Sequence, residues 1–360
     1  MTTTDIDVIP AGEIRVKLLG KYKPGRDGEG WMRMFPDGQP KWRNCRFIFD
    51  RDCRDYDWLV VYDDLPSLAG ERHPLWEEKL ACPAANTLLM TTEPSTIKIY
   101  GADFVRQFRW ILTSQEAWAV ANHPGRLFEQ PALTWFYAFS SPRGDYDTLV
   151  RNVPLNKTRD VSTVCSSKRQ GNTLHRRRYD FTQELKAHLP ELEIFGRGVR
   201  PIDDKADALD AYRYHIAIEN FSGPHHWTEK LADAFLGACM PFYYGCTNVA
   251  EYFPEESFVP IDINDAARTA DLIRKAIKDK AYEKNLSAIL ESRRLVLEQY
   301  GPVATICRII NQHSREASAT SPSLPVLIKS RRRLNRSVLG GIRYGMEKQL
   351  ARFIQLKSVR

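Results

Sequence analysis

The stretch that decides the fold is YRYHIAIENFSGPHHWTEKLADAF, residues 212–235. Its first part is a short aromatic and β-branched run, which reads as a strand, and it ends in the carboxylate–amide pair Glu219 and Asn220. A Gly/Pro loop follows, then an amphipathic segment whose first turn carries Thr228, Glu229 and Lys230. Ligands of open α/β sheets bind beyond the carboxyl ends of the strands, where helix N-termini offer N–H groups to phosphate. Lys230 adds a full positive charge at that place, and Glu229 can accept hydrogen bonds from sugar hydroxyls. The same three residues also fit a plain helix start, with an N-cap threonine, an acid suited to the helix dipole and a solvated lysine.

Working outward, the second half alternates strands and helices. Strands are expected at 161–165, 191–195, 214–218, 241–244 and 258–261, and helices at 174–188, 205–212, 228–238, 267–278 and 281–300. The first half has strand patterns at 14–19, 58–62, 88–91 and 110–113. This alternation implies α/β architecture with parallel sheets covered on both faces. At 360 residues the chain suits two domains. The polar stretch 140–160 reads as their connection, giving domains at 1–157 and 158–313, followed by a linker and tail at 314–360.

Composition narrows the function. Charged residues are 27% and 39 aromatic side chains (16 Phe, 15 Tyr, 8 Trp) require a packed core, which excludes a disordered chain. Seven cysteines without a CxxC pair argue against a disulfide framework or a structural zinc site and are expected to be reduced and mostly buried. The net charge is +7, but ten Lys or Arg and one acid between 327 and 360 put +9 in the tail, leaving −2 for residues 1–326. A slightly acidic body gives no reason to expect nucleic acid. In the tail, Leu339, Ile342, Met346, Leu350 and Phe353 recur at helical intervals among Arg343, Lys348, Arg352, Lys357 and Arg360. A basic amphipathic helix of this kind suits an anionic membrane surface, and docking on the body or a second subunit is the alternative. The 314–325 linker makes this tail look separable from the rest. The N-terminus lacks the basic and apolar regions of a signal peptide and no run reaches transmembrane length, so a cytoplasmic chain at the inner membrane face is expected.

Residues 218–220, 227–230, 233–235, 241–245, 253–254 and 257–259 (IEN, WTEK, DAF, PFYYG, FP, SFV) together resemble the donor-binding signature of glycosyltransferase family 10, the α-1,3/1,4-fucosyltransferases. The resemblance covers 160–300 most closely. It implies a GT-B fold, two Rossmann-like domains facing a cleft, and inverting transfer of L-fucose from GDP-L-fucose to an acceptor glycan hydroxyl, on a surface polysaccharide or lipid-linked oligosaccharide, with no metal or other cofactor. It implies that Glu229 and Lys230 hold ribose and diphosphate, with Glu219, Asn220 and Thr228 beside them. His226 stands where the family usually has tyrosine; a histidine there would make binding depend on pH near 6–7. Arg178, in HRRR at 175–178, matches an arginine facing the diphosphate, while Arg176 and Arg177 read as solvated. Arg197 sits between Gly196 and Gly198 at a strand end, in a turn or in close approach to the nucleotide. Glu93, just past an apolar strand and before Pro94, matches the family's general base, with Thr92 in place of a glycine. Asp63 and Asp64 resemble a metal-binding pair, but the GT-B plan uses basic residues instead. Tyr100, Phe104 and Phe108 at helical spacing read as core. Another GDP-sugar donor, or an inactive glycan- or membrane-binding protein, are the alternative functions.

Overall fold

A computed structural model describes residues 12–23, 25–167, 174–314 and 326–358. The chain forms two compact units, one of residues 1–127 with 303–360 and one of residues 128–302.

In the first unit the strands are β1 (Ile14–Gly20), β2 (Lys41–Trp42), β3 (Cys45–Ile48), β4 (Trp58–Tyr62), β5 (Glu77–Lys79), β6 (Thr87–Met90), β7 (Trp110–Thr113) and β8 (Arg126–Phe128), with the short helix α1 (Ala102–Val105) between β6 and β7. Seven of these strands form one sheet in the order β2-β3-β1-β4-β6-β7-β8. β3, β1, β4, β6 and β7 run parallel, and β2 is antiparallel to β3. Strands β4 and β6 are apolar and almost wholly buried, as parallel strands covered on both faces must be. Tyr100, Phe104 and Phe108 lie in the core, as their spacing predicts.

The second unit contains α2 (Tyr146–Arg151), β9 (Arg159–Val164), α3 (His175–His188), β10 (Glu193–Phe195), β11 (Tyr212–Gly223), α4 (Glu229–Leu236), β12 (Met240–Cys246), β13 (Val259–Pro260), α5 (Ala266–Lys278), α6 (Ala281–Lys284) and α7 (Leu286–Glu298). Its sheet is parallel throughout, in the order β10-β9-β11-β12-β13. By order of appearance both parallel sheets therefore read 2-1-3-4-5, the doubly wound plan whose switch point lies between the first and third strands. Tyr214, Ile216 and Ile218 of β11 join Phe181 and Leu185 of α3 and Ala270 and Ile273 of α5 in one core. The alternate residue Glu219 bonds instead to Thr228, at the start of α4.

Two expected helices are shorter or broken in the structure. Residues 205–212 hold only a single 3₁₀ turn, Lys205–Ala208, because Lys157 Nζ binds the carbonyls of Leu209 and Asp210 and turns the chain straight into β11. The 281–300 segment breaks at Asn285, which leaves helical angles between α6 and α7.

The boundaries differ from 157/158 and 313/314 for a physical reason. Residues 128–157 belong to the second unit: Asp233 accepts hydrogen bonds from the backbone N–H groups of Phe136 and Tyr137, both 2.8 Å, and Arg293 donates to the carbonyl of Leu149. Helix α8 (Pro302–His313) belongs to the first, where Asn311 and Asn44 exchange amide bonds and His313 stacks on Trp110. The tail is not separable either. β14 (Leu327–Lys329) pairs antiparallel with β5, and α9 (Arg331–Leu334) and α10 (Val338–Ser358) follow it on the first unit. Most of the expected linker, and Arg360, lie outside the described residues.

Candidate functional site

The carboxyl end of the second unit's sheet gathers most of the residues expected to bind a donor. Helix α3 buries Arg178, Phe181, Thr182 and Leu185, a helical i, i+3, i+4, i+7 face, so the face that packs on the sheet brings Arg178 to the end of β11. Its Nη1 donates to Asn220 Oδ1 at 2.8 Å and lies 3.4 Å from the Ile218 carbonyl. Its Nε is buried with no hydrogen-bond partner among the described residues. An orphaned guanidinium N–H is costly and is satisfied when an anion's oxygen arrives. Arg176 pairs with Asp180 on the surface, whereas Arg177 braces the chain before α5 through the Ile263 carbonyl.

Thr228 caps α4, and Glu219 holds the cap. One Glu219 oxygen accepts from the Thr228 N–H at 2.8 Å, the other from the Thr228 hydroxyl at 2.7 Å, and Lys230 Nζ lies 3.3 Å from the latter oxygen. Glu219 is fully buried with both oxygens engaged, so it positions Thr228 and Lys230 and does not itself face a ligand. Burial pushes its carboxyl upward against the pull of Lys230. Gly245 makes room for it: at φ +155°, an added Cβ would stand 2.4 Å from Glu219 Cγ. Gly245→Ala is therefore expected to cost about 1–3 kcal/mol of stability and to weaken nucleotide binding, read by thermal unfolding and titration.

Lys230 Nζ also lies 3.0 Å from Glu229, and Lys205 stands 3.9 Å from the same oxygen. Burial pushes the Glu229 carboxyl up, but Lys230 and Lys205 outweigh it and hold the group below the usual range. Lys205 in turn bonds Asp233 at 2.6 Å. Glu229 and Asp233 are four residues apart on one face of α4, a signal available in the sequence; nothing in the sequence pointed to Lys205. A recess of about 480 Å³ adjoins this trio, lined by Phe136, Phe139, Gly196, Arg197, Asp203 and Lys205 among others. Arg197 is exposed on the turn at the β10 end. Its flanking glycines let that turn press against β9's end, since a Cβ on Gly196 would meet the Cys165 carbonyl at 2.8 Å.

The expected pH step near 6–7 does not hold. His226 is 2% exposed, edge-on to Phe221, and burial together with Lys230 pushes it down to about 4. Its depressed pKa favours the neutral folded form, so the stability it supports is present above about 6.5 and is lost as pH falls toward 4. Between pH 7 and pH 5 this amounts to about 2 kcal/mol. Urea unfolding at the two pH values should show that difference shrinking by about as much in His226→Gln.

In the first unit, the switch point between β1 and β4 holds Asp63, at φ +73°. One of its oxygens accepts from Tyr100 Oη at 2.6 Å, Thr92 Oγ1 at 2.9 Å and Lys98 Nζ, and the other pairs with Lys21. Burial pushes its carboxyl up, yet Lys98 and Lys21 prevail and keep it ionised far into acid. Lys98 is pushed down to about 7, mainly by burial. Asp64 accepts from the N–H groups of Leu65 and Arg331. Both acids are thus occupied by protein donors, and no group of three or more metal-ligating side chains occurs among the described residues. Glu93 is exposed just beyond β6, its carbonyl accepting from Gln115 Nε2 at 2.6 Å.

Residues 154–320 match the description "Glycosyltransferase family 10 (fucosyltransferase) C-term". This segment is similar to glycosyltransferase family 10. It contains Arg178, Arg197 and the whole of Glu219–Lys230. An α-(1,3)-fucosyltransferase, FucT, of Helicobacter pylori is 30% identical over 95 residues, 24% of this chain and 20% of the relative. The human 4-galactosyl-N-acetylglucosaminide 3-α-L-fucosyltransferase FUT5 is 28% identical over 195 residues, half of each chain. The chain thus spans between a fifth and a half of the length of these relatives. Among solved structures, an α1,3-fucosyltransferase with GDP aligns with TM-score 0.45 and 14% identity over 81% of this chain and 93% of the other. Anabaena Alr3699/HepE with UDP-glucose aligns with TM-score 0.44 and 10% identity over 84% of this chain and 100% of the other.

Proposed function

We propose that the protein transfers L-fucose from GDP-L-fucose to a glycan hydroxyl, with inversion at the anomeric carbon. The observation that carries this reading is the buried Arg178 guanidinium, its Nε orphaned, on the same family 10-like segment as Lys230 and the N-terminus of α4. Arg178 and Lys230 would bind the diphosphate and stabilise the charge that grows on it as GDP leaves. Glu229 would accept from the ribose hydroxyls. The recess beside Lys205 has aromatic faces in Phe136 and Phe139 and a carboxylate in Asp203, suited to a guanine and its N–H donors. Glu93 would take the proton from the acceptor hydroxyl. With cations and a helix terminus serving the leaving group, the reaction as proposed needs no metal.

The name of human FUT5 specifies an N-acetylglucosaminide acceptor, so a glycan bearing that unit is the first to try. Among the described residues no helix is long and apolar enough to cross a membrane. The face of α10 carrying Leu339, Ile342, Met346, Leu350 and Phe353 is exposed, each residue by more than half, with exposed Arg336 and Arg352 in the same segment, while the Lys348 ammonium lies over the Tyr344 ring. This supports peripheral binding to an anionic cytoplasmic membrane face and an acceptor that is lipid-linked or on its way to the surface.

The test is product analysis after incubation with GDP-L-fucose and such an acceptor, with and without EDTA. The reading expects a fucosylated product of anomeric configuration opposite to the donor's, formed equally with the chelator. Retention of configuration, transfer from another GDP-sugar in preference to GDP-L-fucose, or loss of activity in EDTA restored by manganese would each overturn the corresponding part.

A further inference from the structure

Helix α10 has two working faces. The apolar stripe is one; the other, built from Gly340, Tyr344, Glu347, Ala351 and Gln355, lies roughly 130° around the helix and is turned toward the first unit. That second face meets the chain directly after Glu93. Gln355 Nε2 donates to the Ser95 carbonyl at 2.9 Å, Tyr344 Oη to the Ile99 carbonyl at 3.1 Å, and Glu347 accepts from the Ala102 N–H at 3.1 Å, with Arg343 paired to Asp103. Four contacts thus join the helix to residues 95–103. On the other side of Glu93, the Thr92 N–H donates to Tyr100 Oη at 2.8 Å, and Arg331 lies over the Tyr100 ring while donating to Tyr344 Oη. The Glu93–Pro94 corner is therefore held from both ends, and both holds lead to the C-terminal helices.

Gln115 Nε2 also holds the corner through the carbonyls of Glu93 and Lys98, and the Ile97 and Lys98 N–H groups close a turn on the Pro94 carbonyl, yet polar side-chain atoms there are left unmatched. The hydroxyls of Ser95 and Thr96 and Gln115 Oε1 are buried with no hydrogen-bond partner among the described residues. The helix is weak by itself, since Gly340, Gly341 and Gly345 each cost about 1 kcal/mol of helix propensity. Gly340 is required, as a Cβ there would stand 2.4 Å from the Leu334 carbonyl, but Gly345 has open space around it. A marginal helix is stabilised by whatever binds either face, and binding at one face must then favour binding at the other.

We propose that α10 is a membrane-read positioning element: its inner face holds Glu93 in place for proton transfer, and seating its apolar stripe on an anionic bilayer tightens that hold. Tyr344, Glu347 and Gln355 are positioning residues, and the occupant of the outer face is an anionic lipid surface, matched by the exposed Arg352 and Arg336. The inference rests on Glu93 as the base and on the membrane reading above.

Two measurements on the full chain test it. In the first, Tyr344→Phe and Gln355→Ala each lower kcat toward a soluble acceptor about three- to tenfold with the KM for GDP-L-fucose unchanged. In a Glu93→Gln background they should lower it no further, because they act through that residue. Effects that multiply in the double variants, with Glu93→Gln itself impaired, would overturn the inference and leave the fucosyl-transfer reading standing; a fully active Glu93→Gln would remove the base that both require. The second measurement needs no activity. Amide hydrogen exchange across residues 94–101 should slow on adding vesicles of phosphatidylcholine with phosphatidylglycerol, but not phosphatidylcholine alone, and should slow without lipid in Gly345→Ala. Exchange in that segment indifferent to both would refute the coupling, whatever the chemistry at the donor site.

Discussion

Glu93→Gln should lower the rate of fucosyl transfer at least about 100-fold while leaving GDP-sugar affinity as it was, because the substitution removes the proposed base and keeps the shape. Steady-state rates with saturating donor, beside a direct donor titration, separate the two quantities. The competing carboxylates are poorly placed for the role. Asp63 is held as an anion by Lys21 and Lys98 with Tyr100 and Thr92 on the same oxygen as Lys98, which leaves it little basicity. Asp64 is buried and already accepts two backbone N–H groups. Glu93 alone of the three is exposed, immediately beyond the carboxyl end of β6. Transfer by Glu93→Gln at the parent rate would move the search to Glu116, which has one buried oxygen without a partner among the described residues.

Arg178→Ala and Lys230→Ala should weaken GDP-L-fucose binding by about 10- to 150-fold each, the range of a charge-assisted hydrogen bond of about 1.5–3 kcal/mol. Their effects on the free protein should differ. Lys230→Ala leaves the fully buried Glu219 without its cation, so it should also lower the unfolding temperature. Arg178→Ala relieves an orphaned donor and should be close to neutral for stability. Arg178→Lys keeps the charge but loses the planar fork, and an affinity much nearer to Arg178→Ala than to the parent would show that the fork matters.

The second unit was largely legible in the sequence because its information is local. Thr228, Glu229 and Lys230 are contiguous, and the residues that bury Arg178 repeat at helical spacing along α3. The clusters made at long range were not legible. Lys205 reaches Asp233 across 28 residues, and Lys98 and Tyr100 reach Asp63 across 35 and 37. The domain boundaries failed for a related reason: a polar stretch marks where a chain is at the surface, not which body its neighbours pack on. Asp233 claims residues 136 and 137 for the second unit, and Asn44 claims α8 for the first. In α10 the sequence pattern exposed the apolar stripe, but the inner face is small and polar and leaves no mark in hydropathy. The expectation of a pH dependence near 6–7 at His226 fails because neither its burial nor the nearby Lys230 amine is visible in a motif.

The central claim is that the second unit binds a GDP-sugar through Arg178, Lys230 and the start of α4. Titration calorimetry of the chain with GDP-L-fucose and UDP-glucose, repeated on Arg178→Ala, tests it most directly. The account predicts saturable binding of GDP-L-fucose, at least about tenfold weaker binding of UDP-glucose, and at least about tenfold loss of GDP-L-fucose affinity in the variant. Equal affinity for the two nucleotide sugars, or a GDP-L-fucose affinity untouched by Arg178→Ala, would contradict it.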